Sequence, residues 1–414
     1  MLETYFVAPK TLRRLRSGPA GFYIDGFAEY LKTERYTYAT AVRYLRAANH
    51  LGHFVVSQSK KLEEITPETL NAFQRHLPSC RCPLSNGGHI EHHILYGTRR
   101  FVAYLQTIGV LTNPSRQGEQ EPEAPLLASF RYWLRRHRGV AETTLKLYCW
   151  GVNKFLQALG DDPSQYDVQR IRAFFLDYAN QCGTSTAQKL STSLRVFLRY
   201  LSVQGQCPAG LDQAIPALAG WRLATLPRCL NGDEVEQLLA ACQGDNLRAR
   251  RAKAIILLLV RLGLRAGDVA NLRLSDVDWE DSSLRVMGKG GYEVRLPLSQ
   301  DVGDALLRYL EGRPQVGSDR VFLRVKAPCR PFRSGDAVSS VVSQTMKRAG
   351  INPPSKRAHI LRHTAATEML RQGASLFDIG QVLRHRSMDT TAYYAKVDVT
   401  LLSQVAQPWP EVLQ

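Results

Sequence analysis

Apolar residues recur at spacings of three and four through most of this chain, the period of helices that bury one face. In the first half the pattern repeats itself. Tyr30-Leu31, followed by Ala39 to Tyr44, has its counterpart in Trp133-Leu134, followed by Thr143 to Tyr148. Further on, Leu70 and Phe73 match Ile171 and Phe174. The two copies close alike: Arg99, Phe101, Tyr104-Leu105 and Gly109 stand against Arg195, Phe197, Tyr200-Leu201 and Gly205. Two helical units of roughly 90 residues follow from this self-similarity. Between them, Asn113-Pro114 to Pro125 is rich in Gln, Glu and Pro and reads as a linker.

The second half has a different rhythm. Asn231-Gly232-Asp233-Glu234 forms a capping box that opens a helix with Val235, Leu238 and Leu239 on its apolar face. Ala252 to Leu262 predicts a buried helix that stops at Gly263. Another helix begins near Ala266-Gly267-Asp268 and carries Val269 and Leu272. Three short strands come next: Arg273 to Val277, Ser283 to Met287 and Tyr292 to Leu296. The turn Gly288-Lys289-Gly290-Gly291 joins the last two. The remainder is helical, with breaks at Gly335, Gly350 to Pro353 and Gly373. The expected fold is mainly α, with helical N-terminal domains and a mixed α+β domain holding a small antiparallel sheet. Expected boundaries are 1–118, 119–220 and 221–414, with Gly220-Trp221 to Pro227 linking the last two.

Charge narrows the choice of partner. The chain carries 54 Lys+Arg against 37 Asp+Glu, a formal net charge of +17. Its pI near 9.7 implies a polyanionic partner, foremost nucleic acid. The basic residues are interleaved with apolar ones, as in Arg131, Arg135, Arg136 and Arg138, so they belong to folded faces. An anionic membrane is the weaker alternative, since the longest apolar run, Ala254 to Val260, is too short to span a bilayer. No apolar stretch follows Arg13, Arg14 and Arg16, so no leader is expected and the protein is expected in the cytoplasm. The eight cysteines are scattered, without a disulfide framework. One group stands apart: Cys80-Arg81-Cys82, with His76 before it and His89, His92 and His93 after it. Its spacing matches no usual zinc finger, so it reads as a loop in a helical domain, with zinc on Cys80, Cys82, His89 and His93 as the alternative.

The remaining polar residues form an ordered constellation. Arg265 lies in Gly263-Leu264-Arg265-Ala266-Gly267-Asp268, Lys289 in the glycine turn, and His359 and Arg362 in His359-Ile360-Leu361-Arg362-His363. His385 follows Leu383-Arg384, and Tyr394 lies nine residues beyond it, after Thr390-Thr391. Attack by an oxygen nucleophile on a phosphodiester loads negative charge onto the non-bridging oxygens, and fixed cations there lower the barrier. Arginine holds phosphate through a planar fork that stays charged. A phenol is a serviceable nucleophile for a reversible covalent step, with histidine and lysine as base and acid. Singly, each residue has a bland reading, such as a helix-end arginine, a solvated turn lysine, structural histidines or core tyrosines. Their joint occurrence in this order is what carries the functional one.

From about Leu226-Pro227 to the end, these motifs resemble the tyrosine recombinase (phage integrase) family. The resemblance implies that Arg265 and Arg362 clamp the scissile phosphate and that Lys289 protonates the leaving 5′ oxygen. It implies that His359 helps deprotonate the nucleophile, that His385 hydrogen-bonds the phosphate, and that Tyr394 forms a 3′-phosphotyrosyl bond. Asp268 is a positioner, and Tyr393 is the neighbouring alternative nucleophile. Arg384 departs from the glycine common in the family, a change expected to leave the chemistry undisturbed. The second helical unit resembles the family's DNA-gripping core-binding domain, and the first becomes an additional unit of similar fold. The function implied is site-specific recombination of a mobile element, by a homotetramer on two double-stranded DNA sites, through a Holliday junction. No cofactor, metal or ATP is expected in that reaction. Partner recombinases are compatible with this reading, and the tail after Tyr394, with Leu401, Leu402 and Val405, is expected to pass to a neighbouring protomer. A type IB topoisomerase and a non-catalytic DNA-binding regulator are the competing readings.

Overall fold

The computed structural model describes residues 2–80, 91–111, 123–218, 226–287, 293–353, 357–385, 387–397 and 402–403. Residues 1–113 and 225–414 form one compact unit, and 114–224 form a second. Among the described residues three large apolar cores run through them, one in 2–111, one in 127–215 and one in 230–361, and a smaller fourth joins Ala366, Leu370, Ile379, Leu383 and Tyr394.

The first core is enclosed by α1 (Pro9–Ser17), α2 (Gly21–Thr33), α3 (Tyr38–Ser57), α4 (Pro67–His76) and α5 (Glu91–Thr107). Helix α4 starts where Thr66 accepts a bond from the Thr69 amide and Pro67 fills the first turn. The 114–224 unit is built from α6 (Pro125–Arg138), α7 (Glu142–Leu159), α8 (Val168–Gln181) and α9 (Thr184–Val203). The repeat read from sequence is visible in its aromatic core. Phe27 meets Phe101 edge-on at 5.1 Å and Tyr104 at 5.5 Å; Phe130 meets Phe197 at 5.2 Å and Tyr200 at 5.4 Å. One register needs correcting: the buried counterpart of Phe73 is Phe175, because Phe174 is only partly buried.

Each copy also has a helix crossing that admits no second β-carbon. On α5, a β-carbon at Gly97 would sit 2.7 Å from that of Ala47 on α3. The equivalent crossing of α7 and α9 is made by Gly151, where a β-carbon would sit 2.6 Å from that of Ser193. The glycine has changed sides between the copies.

The third core begins at α10 (Gly232–Ala240), capped reciprocally by Asn231 and Glu234 as the sequence predicts. Its centre is α11 (Leu247–Val260), where an unbroken apolar run from Ala254 is buried all round. The helix starts earlier than its apolar run suggests, because Asn246 caps the Ala249 amide at 3.0 Å. Then come α12 (Ala266–Asn271) and an antiparallel sheet of β1 (Val277–Asp278), β2 (Ser283–Met287) and β3 (Glu293–Pro297), in that order. Leu284 pairs with Leu296, and Val286 with Val294, turning the apolar face inward. The first strand is shorter than expected. Asp276 draws the Arg273 amide to its carboxylate at 2.8 Å, closing Leu274–Asp276 into a 3₁₀ turn. Helices α13 (Gln300–Glu311), α14 (Gly335–Arg348), α15 (His359–Arg371), α16 (Leu376–Val382) and α17 (Met388–Thr391) complete the chain, and a 3₁₀ segment, Ala392–Val397, carries the tyrosines. Among the described residues no helix is long and apolar enough to cross a membrane.

Candidate active site

The site forms where three chain breaks meet: the turn before α12, the start of α15 and the segment after α16. Gly263 ends the α11 region with a φ of 58°, a left-handed value that suits glycine. Arg265 is the N-cap of α12, and the Asp268 carboxylate accepts its amide at 3.1 Å. The Arg265 guanidinium donates through Nη2 to the Arg384 carbonyl at 2.9 Å. Its Nη1 is buried without a protein partner. Burial holds its pKa below the usual arginine range.

Arg362, only 3 % exposed, lies one turn into α15. It donates to the carbonyls of Gly263 and Leu383, so one guanidinium ties the Arg265 turn to the His385 segment. Burial, with Arg265 next in effect, brings its pKa down to about 10. His385 shares a hydrogen bond between Nδ1 and the Thr391 hydroxyl at 2.8 Å. Burial and the Arg362 charge lower its pKa to about 4, so the imidazole is neutral at pH 7.

Tyr394 is 2 % exposed, and its ring lies nearly parallel to that of His385, at 2° and 6.4 Å between centroids. Its hydroxyl is 2.8 Å from Nδ1 of His363. Burial raises the phenol to about 12, against an opposing pull from Arg362. His363 is itself lowered to about 4, first by burial and then by His359, whose ring meets it edge-on at 4.2 Å. In the tautomer that leaves Nδ1 unprotonated, a neutral His363 accepts a hydrogen bond from the Tyr394 hydroxyl. Tyr393 is more exposed and donates its hydroxyl to the Leu226 carbonyl at 3.0 Å.

The structure brings Arg265, His359, Arg362, His385 and Tyr394 together, with Asp268 beneath Arg265. Lys289 lies outside the described residues, as do Cys82 and His89. Two participants were not assigned a role from sequence. One is His363, whose position in the histidine-arginine box was its only signal. The other is Arg384. It adopts a φ of 55°, and its side chain, 4 % exposed, pairs with Asp268 at 2.7 Å. Its Nε and Nη1 are buried without protein partners. The left-handed backbone that a glycine would take easily aims this arginine into the cluster. Three arginines with one carboxylate, and three buried N–H-bearing nitrogens left over, make a cluster whose chemistry suits a tetrahedral oxyanion.

Comparison with known proteins places the chain in a family. The model of the phage integrase family matches residues 228–400. A Sinorhizobium fredii integrase/recombinase, y4rA, is 36% identical over 413 residues, covering 98% of both chains. Tyrosine recombinase XerC of Staphylococcus epidermidis is 30% identical over 284 residues, covering 67% of this chain and 94% of its own. Among solved structures, a lambda integrase dimer bound to a core site superposes with a TM-score of 0.54 at 20% identity, over 69% of this chain and 97% of that one. XerH bound to its difH substrate gives 0.56 at 19%, over 69% and 85%. The fold is thus the mainly α, small-sheet architecture of lambda integrase. The chain belongs to the tyrosine recombinase family. It is a site-specific DNA recombinase.

Proposed function

We propose that Tyr394 attacks a DNA phosphodiester, forming a 3′-phosphotyrosyl bond as the bond to the 5′ oxygen breaks. Arg265 and Arg362 hold the non-bridging oxygens, and His385 donates to the phosphate. The phenol proton passes toward His363, steadied by His359, and Lys289 returns a proton to the leaving oxygen. Asp268 positions Arg265. The observation that carries this reading is the convergence of three distant segments on one buried arginine cluster, in which Arg362 ties the turn before Arg265 to the His385 segment and Arg265 Nη1 lacks a protein partner.

Around this chemistry, 221–414 is the catalytic domain, 119–220 the DNA-gripping domain, and 1–118 an added unit of the same design, supported by the matched aromatic cores. The substrate is double-stranded DNA at the ends of a mobile element, joined by a homotetramer in the cytoplasm, without metal or ATP. The segment 399–414 passes to a neighbouring protomer. The test is covalent trapping: nicked duplexes carrying the element's ends, incubated in EDTA and run on denaturing gels. Wild type yields a protein–DNA band; Tyr394→Phe yields none while binding DNA equally well. Tight binding without any band from wild type points instead to a DNA-binding regulator. Removing 399–414 weakens cooperative assembly on paired sites and spares single-site binding.

A further inference from the structure

The N-terminal region gathers a second set of chemically capable side chains, far in sequence from the recombinase motifs. His50 lies on α3, His76 is the last residue of α4, and Cys80 follows the 3₁₀ turn Leu77–Ser79. Their donor atoms all lie within 4.8 Å of one another, and His50 Nε2 is 3.2 Å from the Cys80 sulfur. Among the described residues no other histidine, cysteine and carboxylate group of this kind occurs.

We propose that His50, His76 and Cys80 bind one structural zinc ion. Tetrahedral zinc with bonds of about 2.0–2.1 Å to nitrogen and about 2.3 Å to sulfur sets two nitrogens and one sulfur roughly 3.3–3.6 Å apart. The three donors, within 4.8 Å of one another, lie near that spacing. Two imidazoles and one thiolate suit zinc better than magnesium or calcium, which take oxygen ligands. Binding converts the Cys80 thiol to thiolate and releases its proton to solvent. The fourth ligand is a donor beyond these three; Cys82, two residues on in sequence, lies outside the described residues and is not counted.

The surroundings fit a structural role. His50 packs edge-on against Phe73 at 5.2 Å, and His76 against Phe54 at 5.0 Å, so apolar walls fix both rings. Helix α4 buries only Thr69 and Phe73 completely, and the turn after it buries Leu77. A metal joining its last residue to α3 and to Cys80 pins the end of a lightly anchored helix. This ligand set differs from the one drawn from sequence. It keeps Cys80, takes His76 and His50 from helices, and does not include His93.

The test uses the full chain purified without chelators and dialysed against metal-depleted buffer. Mass spectrometric metal analysis is expected to find about one zinc per chain. Protein reconstituted with Co²⁺ is expected to show a thiolate-to-cobalt charge-transfer band and intense tetrahedral d–d bands. Cys80→Ser loses the charge-transfer band, and His50→Gln or His76→Gln weakens metal retention at least tenfold. Cys207→Ser, outside the cluster, retains both signals. Folded wild-type protein with less than a tenth of an equivalent of zinc and no cobalt charge-transfer band overturns the proposal. So does a charge-transfer band unchanged in Cys80→Ser.

Discussion

Replacing Asp268 by Asn tests whether one carboxylate organises the arginine cluster. The substitution keeps shape and removes charge. Asp268 accepts the Arg265 amide and pairs with Arg384 at 2.7 Å, with side chains 15 % and 4 % exposed. Breaking a buried pair by losing one member costs about 3–5 kcal/mol, because the other charge stays buried alone. Arg384 has no alternative partner, since Nε and Nη1 are already unbonded and its neighbours are Arg265 and Arg362. For a segment of this size each kcal/mol moves the melting temperature by roughly 2–4 °C, so a fall of about 6–20 °C is expected. Arg384→Gly is milder: it removes the cation itself and relieves a left-handed backbone worth ~1–2 kcal/mol. The double variant is then less damaged than Asp268→Asn alone. Scanning calorimetry on the four proteins completes the cycle. A melting point for Asp268→Asn within about 2 °C of wild type, or simple additivity in the double variant, would refute the reasoning.

Further expectations follow from neighbouring contacts. Arg362→Lys is expected to lower stability more than Arg265→Lys. A single ammonium cannot hold the Gly263 and Leu383 carbonyls as a guanidinium does, and thermal melts of both variants decide the order. Tyr393→Phe is expected to leave covalent trapping nearly intact, losing only a bond to Leu226; abolished trapping would move the nucleophile. His363 and His385 have native pKa values of about 4, below the ordinary histidine value of 6.5. Their contribution is present above pH 6.5 and is lost as pH falls through 4, because the unfolded state binds protons first. Melting temperatures across that window should fall, and His385→Gln should flatten the slope. Gly335→Ala places a β-carbon 2.9 Å from the Gly267 amide nitrogen, so it is expected to push α14 off α12 and slow cleavage with little loss of DNA affinity.

Motif order picked out most of the residues that the fold brings together, because they sit at helix starts and turns with local signatures. Arg265 follows a glycine turn, Arg362 follows His359 by three residues, and Tyr394 ends a fixed interval from His385. The repeat was legible because both copies spend the same aromatics on the same core positions. What sequence withheld depends on geometry without local periodicity. His363 meets Tyr394 across 31 residues, and Arg384 joins the cluster through one backbone angle that its neighbours impose. The first strand begins later than the sequence suggests because a side-chain cap at Asp276 outcompeted the ladder. His50 carries no motif at all; only the packing of α3 against the end of α4 brings it to Cys80.

The glycine that changes sides between the two helical copies bears on how a chain with tandem look-alike bundles avoids scrambling them. Native pairings set Gly97 against Ala47 and Gly151 against Ser193. Exchange partners, and α3 against α9 would force Ala47 onto Ser193, two β-carbons where there is room for one. The leftover pair, α5 against α7, would face glycine to glycine and leave a hole. One hybrid is overfilled and the other underfilled, so neither competes with the correct pairing. Swapping between similar neighbours is a characteristic failure of repeated architectures. Here a single small residue, placed on opposite helices in the two copies, works as a molecular key that keeps each bundle with its own helices.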